Sequence, residues 1–368
     1  MGPARDKLLA LLAVAAGVLP ASSQPPRPPA PPEQLFVLGD SLSDVGNAAA
    51  VADFALGRTP SPTPEIGLCN PIDVLLGRGC DDLFYRRSRV SDGPVAVEHL
   101  AAHLGLPELV ASYHTLPSRP GDGTNYAVAS AKARAAGVED LGRQLEMLLL
   151  DHGPLLPATA LYVVAIGGND AVDALQAAAG SAGEAGPGEA ERIVAEAVGA
   201  IGTTLERLLA TGARRFIVAT VPDLATLPAI RAGARESGNE AEVLRAASAV
   251  TESFNAALGA RVAELALQHP DAALATFDLA AFVAGQRAAA AVSGRNVDEA
   301  CFDSEAYVSS ATAERRFHPF CEPPPGGRPQ FDRFLFWDGL HPTGAAHAAA
   351  GAALIELYER AVASLPAA

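Results

Sequence analysis

The chain is short of positive charge. It has 27 Lys and Arg against 42 Asp and Glu in 368 residues, a formal net charge of −15. That balance disfavours binding to nucleic acid or to an anionic membrane surface, because both require clustered basic side chains. It leaves neutral lipids and sugars open as substrates. Cysteine is scarce: Cys69, Cys80, Cys301 and Cys321 are the four. They form no C-x-x-C pair and no close Cys/His cluster, so no metal site is expected. Past the N-terminus, no apolar run reaches the roughly 20 residues that a membrane-spanning helix needs, and the mature chain should have no integral span. Internal repeats are also missing.

The N-terminus carries an apolar run of its own. "MGPARDK" supplies Arg5 and Lys7, "LLALLAVAAGVL" is a short apolar stretch, and small residues follow at Ala21 and Ser23. This three-part pattern predicts a secretory signal peptide over residues 1–23, and with it an extracellular or periplasmic location. "QPPRPPAPP" then reads as an extended polyproline-II linker over residues 24–33. Residues 34–368 are left for one folded domain, long enough to bury a core without disulfides. In an exported chain an even number of cysteines still points to disulfide bonds. Four cysteines allow three connectivities. Cys69–Cys80 and Cys301–Cys321 are favoured, since each pair lies within one loop-like stretch rich in Pro and Gly.

The remainder alternates between apolar runs and Ala/Leu-rich stretches. Strands are predicted at "QLFVLGD", "NYAVAS", "ALYVVAIGG", "RRFIVATVP" and "AALATFD". Helices are predicted over 95–105, 138–153, 189–209, 239–268 and 344–364, with residues 180–189 a flexible loop. Continuous apolar strands separated by helices imply a parallel sheet covered on both faces, an α/β fold of the three-layer, doubly wound kind. In such sheets ligands sit beyond the carboxyl ends of the strands. Polar clusters occur at those ends: Gly39-Asp40-Ser41, Ala129-Ser130 and Gly167-Gly168-Asn169-Asp170. A fourth, "FWDGLHPTG", precedes the last helix and carries Asp338 and His341.

These residue types suit acyl transfer. A serine hydroxyl becomes a useful nucleophile when an imidazole takes its proton. The imidazole in turn needs a carboxylate to fix its tautomer and to stabilise the imidazolium. Asp338 precedes His341 by three residues, so one tight loop can present both. Donors for a tetrahedral oxyanion are available from the Ser41 backbone N–H, from a backbone N–H at the end of the second strand, and from the Asn169 side chain.

Together "FVLGDSLSDVGN", "IGGND" and "DGLHP" strongly resemble the blocks of the SGNH (GDSL-type) hydrolases, and the resemblance runs in order from Leu35 to Leu365. It implies a flavodoxin-like α/β/α sandwich with a central parallel sheet. It also implies ester hydrolysis through an acyl-enzyme without metal or other cofactor. Carried over by position, Ser41 is the nucleophile, His341 the general base, Asp338 its orienting partner and Asn169 an oxyanion donor. The second block departs from the family pattern. Where N-[FY]-A-x-G-G-A is usual, residues 125–131 read "NYAVASA", and Ser130 takes the place of the oxyanion glycine. A backbone N–H survives the change, but a positive φ is harder for serine to adopt.

Other polar residues have plainer readings. Asp170 is expected to be structural, a helix-capping residue, and Ser43 to bond locally within its turn. His99 and His103, four apart, lack the glutamate of H-E-x-x-H and belong to a surface helix. Trp337 suits either core or pocket wall. The expected protein is a secreted, monomeric serine esterase or lipase acting on a small-molecule or lipid ester. An acyltransferase or carbohydrate deacetylase on the same site, or a catalytically silent binding protein, are the alternatives. Loops over 59–91 and 293–333 should form the pocket walls.

Overall fold

The computed structural model describes residues 31–55, 89–114, 123–137, 139–179, 187–304, 316–324 and 328–363. The proposed signal peptide, most of the linker, and Cys69 and Cys80 lie outside these residues. In chain order the elements are β1 (Leu35–Gly39), α1 (Asn47–Ala55), α2 (Ala96–His103), α3 (Leu141–His152), β2 (Leu161–Ala165), α4 (Gly168–Ala179) and α5 (Pro187–Ala210). They continue with β3 (Arg215–Ala219), α6 (Pro228–Glu236), α7 (Glu240–Gln268), β4 (Ala273–Phe277) and α8 (Leu279–Ser293). β5 (Asn296–Ala300), β6 (Phe334–Phe336) and α9 (Gly344–Ala363) complete the chain.

β1, β2, β3 and β4 pair in that order, all parallel, with Leu35 opposite Leu161, Leu161 opposite Arg215 and Arg215 opposite Ala273. Alternate side chains point to opposite faces. Phe36, Leu38, Tyr162, Val164, Phe216 and Val218 pack against α3, α4, α5 and α7. Leu35, Val37, Leu161, Val163, Ile217 and Ala219 pack against α2 and α9. Both faces of the sheet are therefore covered, and this is why its central strands read as unbroken apolar runs. β4 is at the edge and alternates buried with half-buried residues.

The predicted "NYAVAS" strand is corrected. It runs parallel beside β1 but, among the described residues, forms isolated bridges in place of a strand, from Asn125 to Val37 on one side and to Ala111 on the other. Val37 donates to Thr124 O at 3.0 Å, Tyr126 donates to Val37 O at 2.7 Å, and Val128 donates to Gly39 O at 3.2 Å. The rung between the last two would need the Gly39 N–H, which goes instead to the Gln144 Oε1 at 2.8 Å, while Gln144 Nε2 donates to Gly39 O at 2.8 Å. A buried glutamine from α3 thus interrupts the ladder at Gly39. Counting this segment as the second chain crossing, the spatial order is 2-1-3-4-5, and the switch point falls at β1.

A smaller parallel pair, β5 with β6, lies apart from the main sheet and was not foreseen. Beside it Cys301 and Cys321 are joined by a disulfide, with Cα atoms 5.4 Å apart. They pack with Phe302, Phe331, Phe334 and Trp337 in a third apolar cluster, so Trp337 belongs to a core. Within the 293–333 stretch the described residues include β5 and much of this cluster. No helix of the described residues is long and apolar enough to cross a membrane.

Candidate active site

Ser41 follows the end of β1 in a tight turn. Asp40 shapes that turn: its carboxylate accepts from Leu42 N at 3.1 Å, and its carbonyl accepts from Ser43 N and Asp44 N, both at 3.0 Å. Glycine is required just before it, because a Cβ on Gly39 would stand 2.6 Å from the Ala165 carbonyl. Ser43 offers its main chain to the turn and to Asn125, whose Nδ2 donates to Ser43 O at 2.8 Å.

The Ser41 Oγ lies 2.8 Å from His341 Nε2. His341 Nδ1 lies 2.9 Å from Asp338 Oδ1, which also accepts from the His341 and Leu340 backbone amides at 2.7 and 2.9 Å. With the proton on Nδ1 for the carboxylate, Nε2 is the acceptor for the serine hydroxyl. Burial alone would lower the imidazole's pKa; the bonded Asp338 carboxylate and the nearby Asp40 outweigh it, and His341 ends above the ordinary histidine range. For Asp338 burial pushes up, His341 and the two amides pull down, and the carboxyl ends below its usual value. Both shifts favour the ion pair.

The loop that carries this pair is closed on itself. Trp337 N donates to His341 O at 2.8 Å, and Phe336 bridges Pro342. Thr343 anchors the exit: its Oγ1 donates to Phe334 O at 3.0 Å and accepts from Ala346 N at 3.3 Å in the first turn of α9. The same loop is tied to α6 through Ala229 N and Gly339 O at 2.9 Å.

Ser130 is the single non-glycine residue among those described with positive φ, at 68°. Ala131 N donates to Val128 O at 3.1 Å, closing a turn with Ser130 at its third position, where the type II geometry places glycine. The serine therefore takes up the left-handed conformation that its side chain makes costly. Asp44 holds this turn: its buried carboxylate accepts from Gly46, Asn47, Ala48 and Ala129 amides at 2.7, 2.7, 3.0 and 2.8 Å. One carboxylate thus caps α1 and fixes the residue before Ser130. Replacing Ser130 by Gly should relieve the strain, partly offset by glycine's greater entropy loss, for a gain of about 1 kcal/mol or less. The measurement is the urea midpoint, expected to rise with hydrolysis unchanged within about twofold; a fall in midpoint would show that the turn does not strain Ser130.

Asn169 stands in the first turn of α4, after Gly167 at φ 123°, where a Cβ would meet the Phe254 ring at 2.5 Å. Its Nδ2 donates one hydrogen to Ala131 O at 2.9 Å, which orients the amide and leaves the second hydrogen free to serve another acceptor. Asp170 does not cap its own helix as the sequence suggested. Fully buried, it reaches across to accept from Ala133 N at 2.7 Å and Arg134 N at 3.3 Å. Ser130 is thereby held between a turn bonded to β1 and a loop bonded to α4.

Several supporting residues escaped the sequence reading. Asn47 donates to Asn125 O at 2.9 Å and Ala127 O at 2.8 Å, and accepts from Tyr113 N at 3.1 Å. Asp40 is itself buried, and desolvation pushes its carboxyl up to about 6 against the pull of the Leu42 amide and His341. The signal available for these was the acidic and amide content of "GDSLSDVGN". His99 packs against Gly351 of α9, and the exposed His103 faces Glu359 at 3.4 Å.

The family model described as GDSL-like Lipase/Acylhydrolase matches residues 35–354. Among curated proteins nothing matches. Among solved structures, an extracellular lipase from Streptomyces rimosus aligns at 16% identity, covering 89% of this chain and 99% of that one, with a TM-score of 0.39.

Proposed function

The chain belongs to the GDSL-like lipase/acylhydrolase family, and from that premise we propose that it is a secreted serine esterase that hydrolyses carboxylic esters through an acyl-enzyme on Ser41. The observation that carries the proposal is the continuous line from Ser41 Oγ to His341 Nε2 to Asp338, at 2.8 and 2.9 Å. Ser41 Oγ attacks the ester carbonyl while its proton passes to His341 Nε2. The developing oxyanion is met by the backbone N–H groups of Ser41 and Ser130 and by the second Asn169 amide hydrogen. His341 then returns the proton to the departing alkoxide. A water molecule, deprotonated by the same nitrogen, splits the acyl-enzyme and frees the acid. Secretion is supported by the N-terminal pattern and by the Cys301–Cys321 bond, which suits an oxidising compartment.

The test is turnover of p-nitrophenyl acetate together with labelling by a fluorophosphonate. Labelling at Ser41 and release of nitrophenol are expected; a folded protein that shows neither is a binding protein, and the proposal fails. Asn169→Ala should lower kcat by about 10²–10³-fold with little change in KM, since the donor acts on charge that forms in the transition state. Unchanged turnover would remove Asn169 from the oxyanion site.

A further inference from the structure

Behind the serine–histidine pair, on the α2/α9 side of the sheet, lies a cavity of about 90 Å³. Its lining includes Leu42, which follows Ser41, and Leu340 and Pro342, which flank His341. Leu340 is also 39% exposed. The space exists because alanine occupies wall positions on three elements: Ala165 at the end of β2, Ala219 at the end of β3, and Ala346 and Ala350 on α9. Larger aliphatic residues there would close it. The ionisable group in the wall is His347, 3% exposed. Its Nδ1 accepts from Ala96 N at 3.3 Å, which stitches α9 to the first turn of α2. Burial, with His341 and His99 nearby, holds its pKa down to about 3, so the imidazole is neutral and the wall is uncharged.

We infer that this cavity receives a short alkyl arm of the ester while its carbonyl carbon is at Ser41. The inference rests on the ester-hydrolase reading above. An uncharged apolar hollow gains from alkyl burial and rejects an ionised chain. Its volume is well above what one water needs and below the about 150 Å³ of a dry cavity that holds benzene. The arm is therefore about three or four carbons long, fewer than the six of benzene. Either side of the ester can supply it: the acyl chain, or the alcohol, whose oxygen must come to His341.

Two substrate series separate these sources. One is p-nitrophenyl esters from acetyl to decanoyl, and the other is acetates of ethanol to octanol. In one series kcat/KM should rise about fourfold for each added methylene and level off at about three or four carbons. Ala350→Leu and Ala219→Val fill the cavity from opposite walls. Each should move the break to shorter chains and leave the two-carbon ester within about twofold of the parent. Binding of 1-butanol to the Ser41→Ala protein, followed by calorimetry, gives a readout that does not need turnover, and adding Ala350→Leu should abolish it. Flat series, or a break that neither folded variant moves, would make this a packing void only and overturn the inference. Loss of all hydrolysis with butanol binding intact would instead overturn the esterase reading and leave the cavity assignment standing.

Discussion

Alanine at Ser41 should lower kcat by about 10⁴- to 10⁶-fold, leave KM nearly unchanged, and remove fluorophosphonate labelling. The reasoning is geometric. The hydroxyl is the group bonded to His341 Nε2, and among the described residues no other side chain bonds that nitrogen. Ser43, the other serine in the turn, is buried, and its backbone is engaged with Asp40 and Asn125. Ser43→Ala therefore serves as the control and should keep both labelling and turnover within about tenfold. A Ser41→Ala protein that still hydrolyses p-nitrophenyl acetate near the parent rate would transfer the nucleophile's role elsewhere. The residual rate is expected to be measurable, because the oxyanion donors act on an attacking water as well. Folding should be little affected: the lost hydrogen bond contributes about 1 kcal/mol, and Asp40, Asp44 and Asn125 hold the turn without it.

How much of this was readable from residues alone depends on the range of the interaction concerned. β1, β2, β3 and β4 were legible because strands buried on both faces must be apolar throughout, and that signal is local. The long helices were legible for the same reason: α7 was expected to end at Gln268, and does. Ser41, Asn169, Asp338 and His341 could be picked out because each stands in a short block at a strand end or before a helix. What could not be read was who bonds to whom across the sequence. Gln144 and Gly39 are 105 positions apart, and their paired bonds turn a predicted strand into isolated bridges. Asp44 reaches Ala129, 85 positions on, and so supports a positive φ at Ser130 that no local propensity would favour. β5 is three-fifths polar, and nothing in "NVDEA" marks it as a strand until β6 comes beside it. α8 is an alanine-rich run whose signals are at its ends: Asp278 caps it by accepting from Ala281 N at 2.9 Å, and Gly294 closes it at φ 70°.

Asparagine in place of Asp338 should lower kcat by about 10⁴-fold and also move the acid limb of the pH profile. The side-chain shape is kept, so Oδ1 can still take the Leu340 and His341 amides and the loop stays closed. What is lost is charge. In the proposed mechanism the carboxylate accepts a hydrogen bond from Nδ1–H and stabilises the imidazolium formed when Ser41 gives up its proton. A neutral amide cannot stabilise that charge, and where it turns its N–H₂ toward Nδ1 it gives up the two backbone amides and fixes the opposite tautomer, leaving Nε2 protonated and unable to act as a base. The sign of the pH effect follows from the same pair. His341 must be neutral to act as base, so kcat/KM rises with pH through the histidine's pKa. In the parent that pKa is held above the ordinary value by Asp338, and Asp40 adds to it. Without the Asp338 charge, burial is opposed by Asp40 alone, and the limb should move to lower pH even as the plateau falls. A loss of rate with the limb unmoved would mean that Asp338 positions His341 without acting on its proton.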